Sequence, residues 1–318
     1  MTDAMYIGID IGKAELVVAT PTAVIGTFPN DRGGHRDLVK RLAKLSVAAV
    51  VMESTGCYGR AVMTALASAG YKVAIVPPGR IRHFALSLGV RAKTDPIDAC
   101  MIAKFGESQK PRTWEMPPEA LSQLRALVDR RDQIVEMRKM EVNHLETCAD
   151  ARIAKEVRRS IAHLDKMVRG CDRLIAQHIA AHEPMRRLSD ALQEETGVGL
   201  QTAAVLLAYM PELGTLNRQQ AAALVGFAPY NRESGQSKCP RQISGGRRRL
   251  RRALYMAATT AARCSEWLKP MYVRLLQRGK LKKVACVACG RKLIIRLNSI
   301  AAKALAEMSA PAVLATPE

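Results

Sequence analysis

Between Glu119 and Arg169 the chain contains neither proline nor glycine. A stretch of that length without a breaker does not read as strands and turns. Its apolar residues recur at Leu121, Leu124, Val128, Ile134, Met137 and Leu145, in steps of three and four with one gap near Arg131. That period predicts one long helix or a helical hairpin with charge on its other faces. Such a segment serves equally as part of a packed bundle or as a coiled-coil spacer and dimerisation arm. Either way it divides the 318 residues into a part before it and a part after it.

The part before it alternates. Tyr6–Asp10, Leu16–Thr20 and Ile25–Pro29 read as three strands in quick succession, short, β-branched and bounded by Gly, Pro and Asn. Gly33–Lys44 reads as a helix. Ala48–Met52 ("AAVVM") is a wholly apolar strand of the kind covered on both faces. Helices over Arg60–Ala69 and Pro78–Leu88 flank a further buried strand, Lys72–Val76. Strands alternating with helices predict an α/β layer with a partly parallel sheet.

After Pro184 the pattern is helical and the charge changes. "ETGVGLQTAAVLLAYM" sets Gly197 and Gly199 in a turn ahead of an apolar helix, like a helix-hairpin-helix whose backbone N–H groups can meet a phosphate. A plain interhelical turn has the same sequence. Residues 218–227 predict another helix, Ala228–Ser244 a polar loop, Arg247–Arg263 a strongly basic helix, and Met271–Leu305 more helix. The expected divisions are therefore 1–112, 113–183, 184–308 and a tail, 309–318.

The net charge of +20 is concentrated late: between 201 and 300 the only acids are Glu212, Glu233 and Glu266. Such an excess points to a polyanion, because neutralising phosphates releases counterions. Arg247, Arg248, Arg249, Arg251 and Arg252 crowd into about two turns, with Arg241 just before them. Arginine suits bidentate phosphate contact, and no acid stands nearby in sequence. Aromatic residues are only 4%, so stacking on bases is a poor basis for affinity. No apolar run reaches the ~18 residues of a membrane helix, and no basic-then-apolar leader opens the chain. The expected setting is the cytoplasm. Of eight cysteines only Cys286 and Cys289 form C-x-x-C, too few ligands for a zinc site, so reduced thiols are expected.

Acidic residues stand out in the first part. Asp10 and Glu53 each end an apolar strand, where sites of α/β folds form. In "KTDPIDA", Asp95 precedes Pro96 and reads as a helix N-cap, with Asp98 on the same face. Capping and the helix dipole would account for that pair alone. Joined by Asp10 and Glu53 at a sheet rim, they suit Mg²⁺ or Mn²⁺, hard ions that take oxygen ligands and serve phosphoryl transfer.

Here the residues carry a resemblance. A strand bearing Asp10, a three-strand meander, a strand bearing Glu53 and then Asp95 and Asp98 resemble the RuvC-type branch of the RNase H fold. "GIDIGK", "MESTGCYG" and "KTDPIDA" are similar to the DEDD transposases of the insertion-sequence 110 family. "GLQTAAVLLAYMPELG", "ALVGFAPYNRESGQ" and "ISGGRRRLRRALYMAA" resemble that family's second domain. The resemblance implies an RNase H-like first domain, a helical coiled-coil middle segment and a mainly helical C-terminal domain. It implies the four carboxylates as catalytic metal ligands and Ser234, in R-[DE]-S-G, as a nucleophile. Glu233 stands where many members have Asp. It further implies donor and target DNA, a structured non-coding guide RNA, and a homodimer assembling to a tetramer on nucleic acid. Because the second domain is so poor in acids, Ser234 would have to meet its metal across a domain or subunit boundary. Three competitors remain: a metal-dependent junction nuclease of the same fold, acting by hydrolysis; a non-enzymatic nucleic-acid-binding protein, for which four aligned carboxylates would bring only repulsion; and an actin-like ATPase, which also opens on "GIDIG". The ATPase would repeat an Asp-x-Gly loop, and no Asp after Asp98 has Gly two positions on.

Overall fold

The computed structural model describes residues 4–54, 56, 58–234 and 237–309, with the backbone alone for 232–234 and 237–240. The chain forms two compact units, one ending at Pro117 and the other beginning at Pro118.

In the first unit β1 (Met5–Ile11), β2 (Glu15–Ala19) and β3 (Val24–Pro29) make an antiparallel meander. α1 (Arg32–Leu42) leads back to β4 (Val47–Glu53), parallel to β1. α2 (Arg60–Ser68) precedes β5 (Val73–Val76), parallel to β4. Then come α3 (Pro78–Ser87), α4 (Asp95–Gln109) and the short β6 (Thr113–Trp114), antiparallel to β5. The strand order is β3-β2-β1-β4-β5-β6, an RNase H-like mixed sheet.

Strand alternation assigns the two faces. Ile7, Ile9 and Ile11 of β1, with Val50 and Met52 of β4, pack under Leu38, Leu42, Val62 and Leu66 of α1 and α2. The intervening positions, Tyr6, Gly8 and Asp10, point to the other face. There Val51 packs with Ile81, Ala85, Ile102 and Phe105 of α3 and α4. Each fully buried Leu or Ile contributes about 1.5–3 kcal/mol by leaving water.

The second unit opens on the helical pair. α5 (Glu119–Thr147) and α6 (Ala151–Ala181) are two helices broken at Cys148–Asp150, so the hairpin alternative holds. Asp150 makes the break without proline or glycine: its carboxylate accepts from the N–H groups of Arg152 and Ile153. α7 (Glu183–Gln193), α8 (Leu200–Tyr209) and α9 (Arg218–Val225) follow. The segment expected as a loop is instead a hairpin of β7 (Pro229–Ser234) and β8 (Ser237–Ile243). Polar composition concealed it, since neither strand needs to bury an apolar face. α10 (Arg248–Cys264), α11 (Lys269–Gln277) and α12 (Lys282–Ser309) complete the unit.

At the open end of the α5–α6 hairpin, Leu124, Val128, Ile175 and Ile179 pack on Ala204 and Leu207 of α8. The main core joins α8, α9, α10 and α12 around Phe227, Leu254 and Leu293. Gly197, at φ +91°, lies against α10, where a side chain would strike the carbonyl oxygen of Ala257. Its absent Cβ thus serves helix packing. Gly199 is the exposed N-cap of α8. Cys286 and Cys289 are buried in α12, and burial pushes the Cys289 thiol up to about 11, as expected for packed thiols.

Candidate active site

The four carboxylates converge on one rim. Asp10 near the end of β1 and Glu53 at the end of β4 lie at the same edge, because β1 and β4 are parallel neighbours. Alternation puts both on the α4 face. α4 crosses that face antiparallel to β1: Gly8 lies against Ala99 and Ala103, and Gly106, further along the helix, lies against Tyr6 and Val51. Its N-terminal residues therefore extend past Gly8 toward Asp10, carrying Asp95 and Asp98 to the rim. One detail differs from expectation. Thr94, not Asp95, is the N-cap, and Asp95 is the first helical residue. Pro96 accordingly sits one position inside the helix, and Asp95 is left exposed.

The electrostatics record the convergence. Burial pushes Asp10 up to about 6, and the charges of Asp95, Asp98 and Glu53 push the same way. Glu53 is raised by burial and by Asp98, against the pull of Lys93. Asp98 is raised by burial and by Asp95, with Lys93 and Arg82 opposing. Carboxylates sharing a rim destabilise one another's charge unless a cation lies among them. Among the described residues no three acids, histidines or cysteines form a ready-made ligand set. Mg²⁺ needs no such cage, since it keeps several waters and binds through one or two carboxylates. The all-oxygen donor set, whose repulsion Lys93 and Arg82 relieve only in part, fits a hard divalent ion.

Sequence reading missed the residues that brace this rim. Asn30 donates from Nδ2 to the carbonyl oxygens of Gly12 (2.9 Å) and Tyr58 (3.2 Å), joining the loops that follow β1 and β4. Its Oδ1 is then the acceptor for Nε2 of buried His35 at 2.8 Å, which fixes the proton on that nitrogen. Gly8 was legible only as part of "GIDIG"; its role as a helix seat was not.

Ser234 is the last residue of β7 in the second unit, and its side chain lies outside the described residues.

A transposase family model, the DEDD type of IS110, matches residues 7–153 and so takes in the whole acidic rim. A second, described as the transposase IS116/IS110/IS902 family, matches residues 189–273, which hold Ser234 and most of α10. The chain belongs to the IS110 family of transposases. Among its relatives are the pilin gene-inverting proteins of Moraxella bovis and Moraxella lacunata. Each is 28% identical over 91% of this chain and 93% of its own length. An uncharacterized 43.6 kDa insertion element IS110 protein of Streptomyces coelicolor is 24% identical over 91% and 92%. This transposase is thus an enzyme acting on DNA. Among the described residues no helix is long and apolar enough to cross a membrane.

The basic helix of the transposase requires a correction. Its arginines do have compensating acids, supplied from far away in sequence. Arg247 grips Glu212 with both Nη atoms, at 2.8 and 2.7 Å, and donates to the Tyr209 carbonyl. Arg249 pairs with Asp129 of α5 and lies over the Tyr209 ring. Arg252 bridges Asp132 at 2.9 Å and Glu136 at 2.7 Å. Arg251 turns back to the Gly245 carbonyl. Of the six arginines expected at phosphate, Arg241 and Arg248 are the exposed ones with no ion pair among the described residues. Asp132→Asn should therefore lower stability by about 1–2 kcal/mol, read as a shift in urea midpoint at unchanged slope. Arg248→Ala should leave that midpoint in place.

Proposed function

We propose that this transposase cuts and rejoins DNA strands at specific sites, with Ser234 as nucleophile and Asp10, Glu53, Asp95 and Asp98 holding Mg²⁺ or Mn²⁺. The observation that carries the reading is the meeting of four carboxylates at one rim, from the ends of two neighbouring parallel strands and the first turn of α4. In the reaction the Ser234 Oγ–P bond forms as one P–O bond to deoxyribose breaks. The hydroxyl proton leaves Oγ and the departing sugar oxygen gains one. Attack by a second strand's hydroxyl reverses the step and frees the serine. The phosphodiester is conserved, which hydrolysis by a junction nuclease would not achieve. A bound divalent ion supplies charge neutralisation at the transferring phosphate. The inversion named for the Moraxella relatives supports an exchange of strands in place of simple scission. Family resemblance supports a structured guide RNA as the source of sequence choice. Met137, Met140 and Ile153, exposed toward the closed end of the α5–α6 hairpin, support an assembly of more than one copy on DNA.

Ser234→Ala is expected to bind DNA with unchanged affinity and to yield no recombinant product. Wild-type protein stopped on a nicked substrate is expected to carry a phosphoserine–DNA adduct by mass spectrometry. Product formation by Ser234→Ala would instead assign the rim to hydrolysis by water.

A further inference from the structure

Arg249 and Arg252 of α10 are held by acids of the same chain, whereas the first unit carries cations without such partners on a surface shaped for phosphate. The outer faces of α1 and α2 enclose a groove of about 1300 Å³. Arg32, Arg36 and Lys40 stand along α1 at four-residue steps, on one face of the helix, and Arg60 opens α2 opposite them. All four are exposed. Arg32, Arg36 and Arg60 have no acid partner among the described residues, and Lys40 has only a loose contact to Asp37 at 3.5 Å. Between these cations the lining is mostly small or apolar, with Ala61 and Ala65 of α2 and Val39 of α1. Cations with small apolar side chains between them fit a sugar–phosphate strand, the charges for phosphate and the apolar lining for deoxyribose.

Topology connects this groove to the acidic rim. β3 is antiparallel to β2, which is antiparallel to β1, so β3 ends at the edge where Asp10 lies. α1 starts from the end of β3 and α2 from the end of β4. Arg32 and Arg60 therefore stand at the carboxylate edge of the sheet, on its opposite face, with Arg36 and Lys40 one and two turns further away. The Asn30 bonds that join the two rim loops hold together the ridge between the acidic face and the basic groove.

We infer that the α1–α2 groove binds the phosphate backbone of a DNA strand after it has passed over the rim. This rests on the reading of the rim as the place of strand cleavage. The strand would be cut on one face of the sheet and held by its flanking phosphates on the other.

The test combines Arg32→Ala, Arg36→Ala and Arg60→Ala in the full chain. All three side chains point to solvent, so folding is checked simply by an unchanged melting curve. Binding is measured against salt with labelled single-stranded DNA, duplex DNA and RNA of one sequence. Losing three contacts should flatten the slope of log affinity on log salt by about 2 for single-stranded and about 3 for duplex DNA. A photo-crosslinking residue at Ser68 should capture DNA at nucleotides flanking the cleaved bond. An unchanged slope, or capture of RNA alone, would overturn the inference. Asp10→Asn separates the two readings: it should keep slope and crosslink and lose cleavage. Should Asp10→Asn still cleave while the crosslink persists, the catalytic assignment falls and the groove stands.

Discussion

Asp10→Asn should abolish strand cleavage and at the same time raise the melting temperature of the metal-free protein. The two effects share one origin. Asp10 is half-buried on β1, and burial together with Asp95, Asp98 and Glu53 holds its pKa near 6. A carboxyl whose folded-state pKa is raised binds its proton more tightly folded than unfolded. Its ionisation therefore works against the fold: stability is greatest below the unfolded value near 4 and declines as pH climbs through 6. At pH 8 the charged Asp10 is a standing cost, which the neutral, nearly isosteric Asn removes. Allowing for solvent screening at a part-exposed site, the gain is about 1 kcal/mol, a few degrees in melting temperature. Divalent ion should reverse the order. Mg²⁺ should stabilise wild type more than Asp10→Asn, and the variant should yield no nicked product at any Mg²⁺ concentration. A variant that cleaves, or that melts below wild type in EDTA at pH 8, would remove Asp10 from the role given to it.

Gly8→Ala should be among the most damaging single methyl additions in the first unit. A Cβ at Gly8 would overlap the Ala99 carbonyl oxygen and the Ala103 amide nitrogen. Both are backbone atoms in the middle of α4, so no side chain can swing aside. The helix itself must lift from the sheet, and Ile102 and Phe105 lose part of their packing with it. Overpacking of well-filled cores costs about 1–3 kcal/mol, and the upper end or beyond is expected where only main chain can yield. Activity should fall further than stability does. Asp95 and Asp98 ride on the first turn of the displaced helix, so cleavage should be lost at temperatures where circular dichroism still reports a folded protein. Ala103→Gly, by removing a neighbouring methyl, should not rescue it, because the clash is with main chain.

What could be read from the sequence divides along a physical line. The sheet was legible because short β-branched runs between turn residues announce strands, and wholly apolar ones such as "AAVVM" announce a covered sheet. That Asp10 and Glu53 each end a strand was legible, but their common edge depended on those strands pairing, which the parallel β1–β4 ladder supplies. The seat of α4 was not legible. It depends on Gly8 and Gly106 meeting elements far apart in sequence, and a glycine in a strand names no partner. The β7–β8 hairpin escaped because its strands follow no apolar alternation. Most instructive is α10, where a search for acids along the sequence found none. Asp129, Asp132 and Glu136 were visible on a single face of α5, at three- and four-residue steps, but nothing in a sequence says which helix will lie against that face.

The ion pairs between α5 and α10 alter what DNA binding can look like thermodynamically. An arginine at a bare protein surface meets phosphate by expelling small ions from the nucleic acid, and dilute salt rewards the exchange. Arg249 and Arg252 already own counterions, fixed carboxylates of the same chain. For either to reach a phosphate, Asp129, Asp132 or Glu136 must be left without its cation and must recruit one from solution. Ion release at the phosphate is then offset by ion uptake at the carboxylate, and the net dependence on salt for those arginines approaches zero. The transposase thus carries two classes of cation on one chain. The cations of the first unit's groove engage DNA in proportion to how dilute the salt is. Arg249 and Arg252 of the basic helix, unlike exposed Arg248 beside them, are nearly blind to it, and respond instead to anything that moves α5.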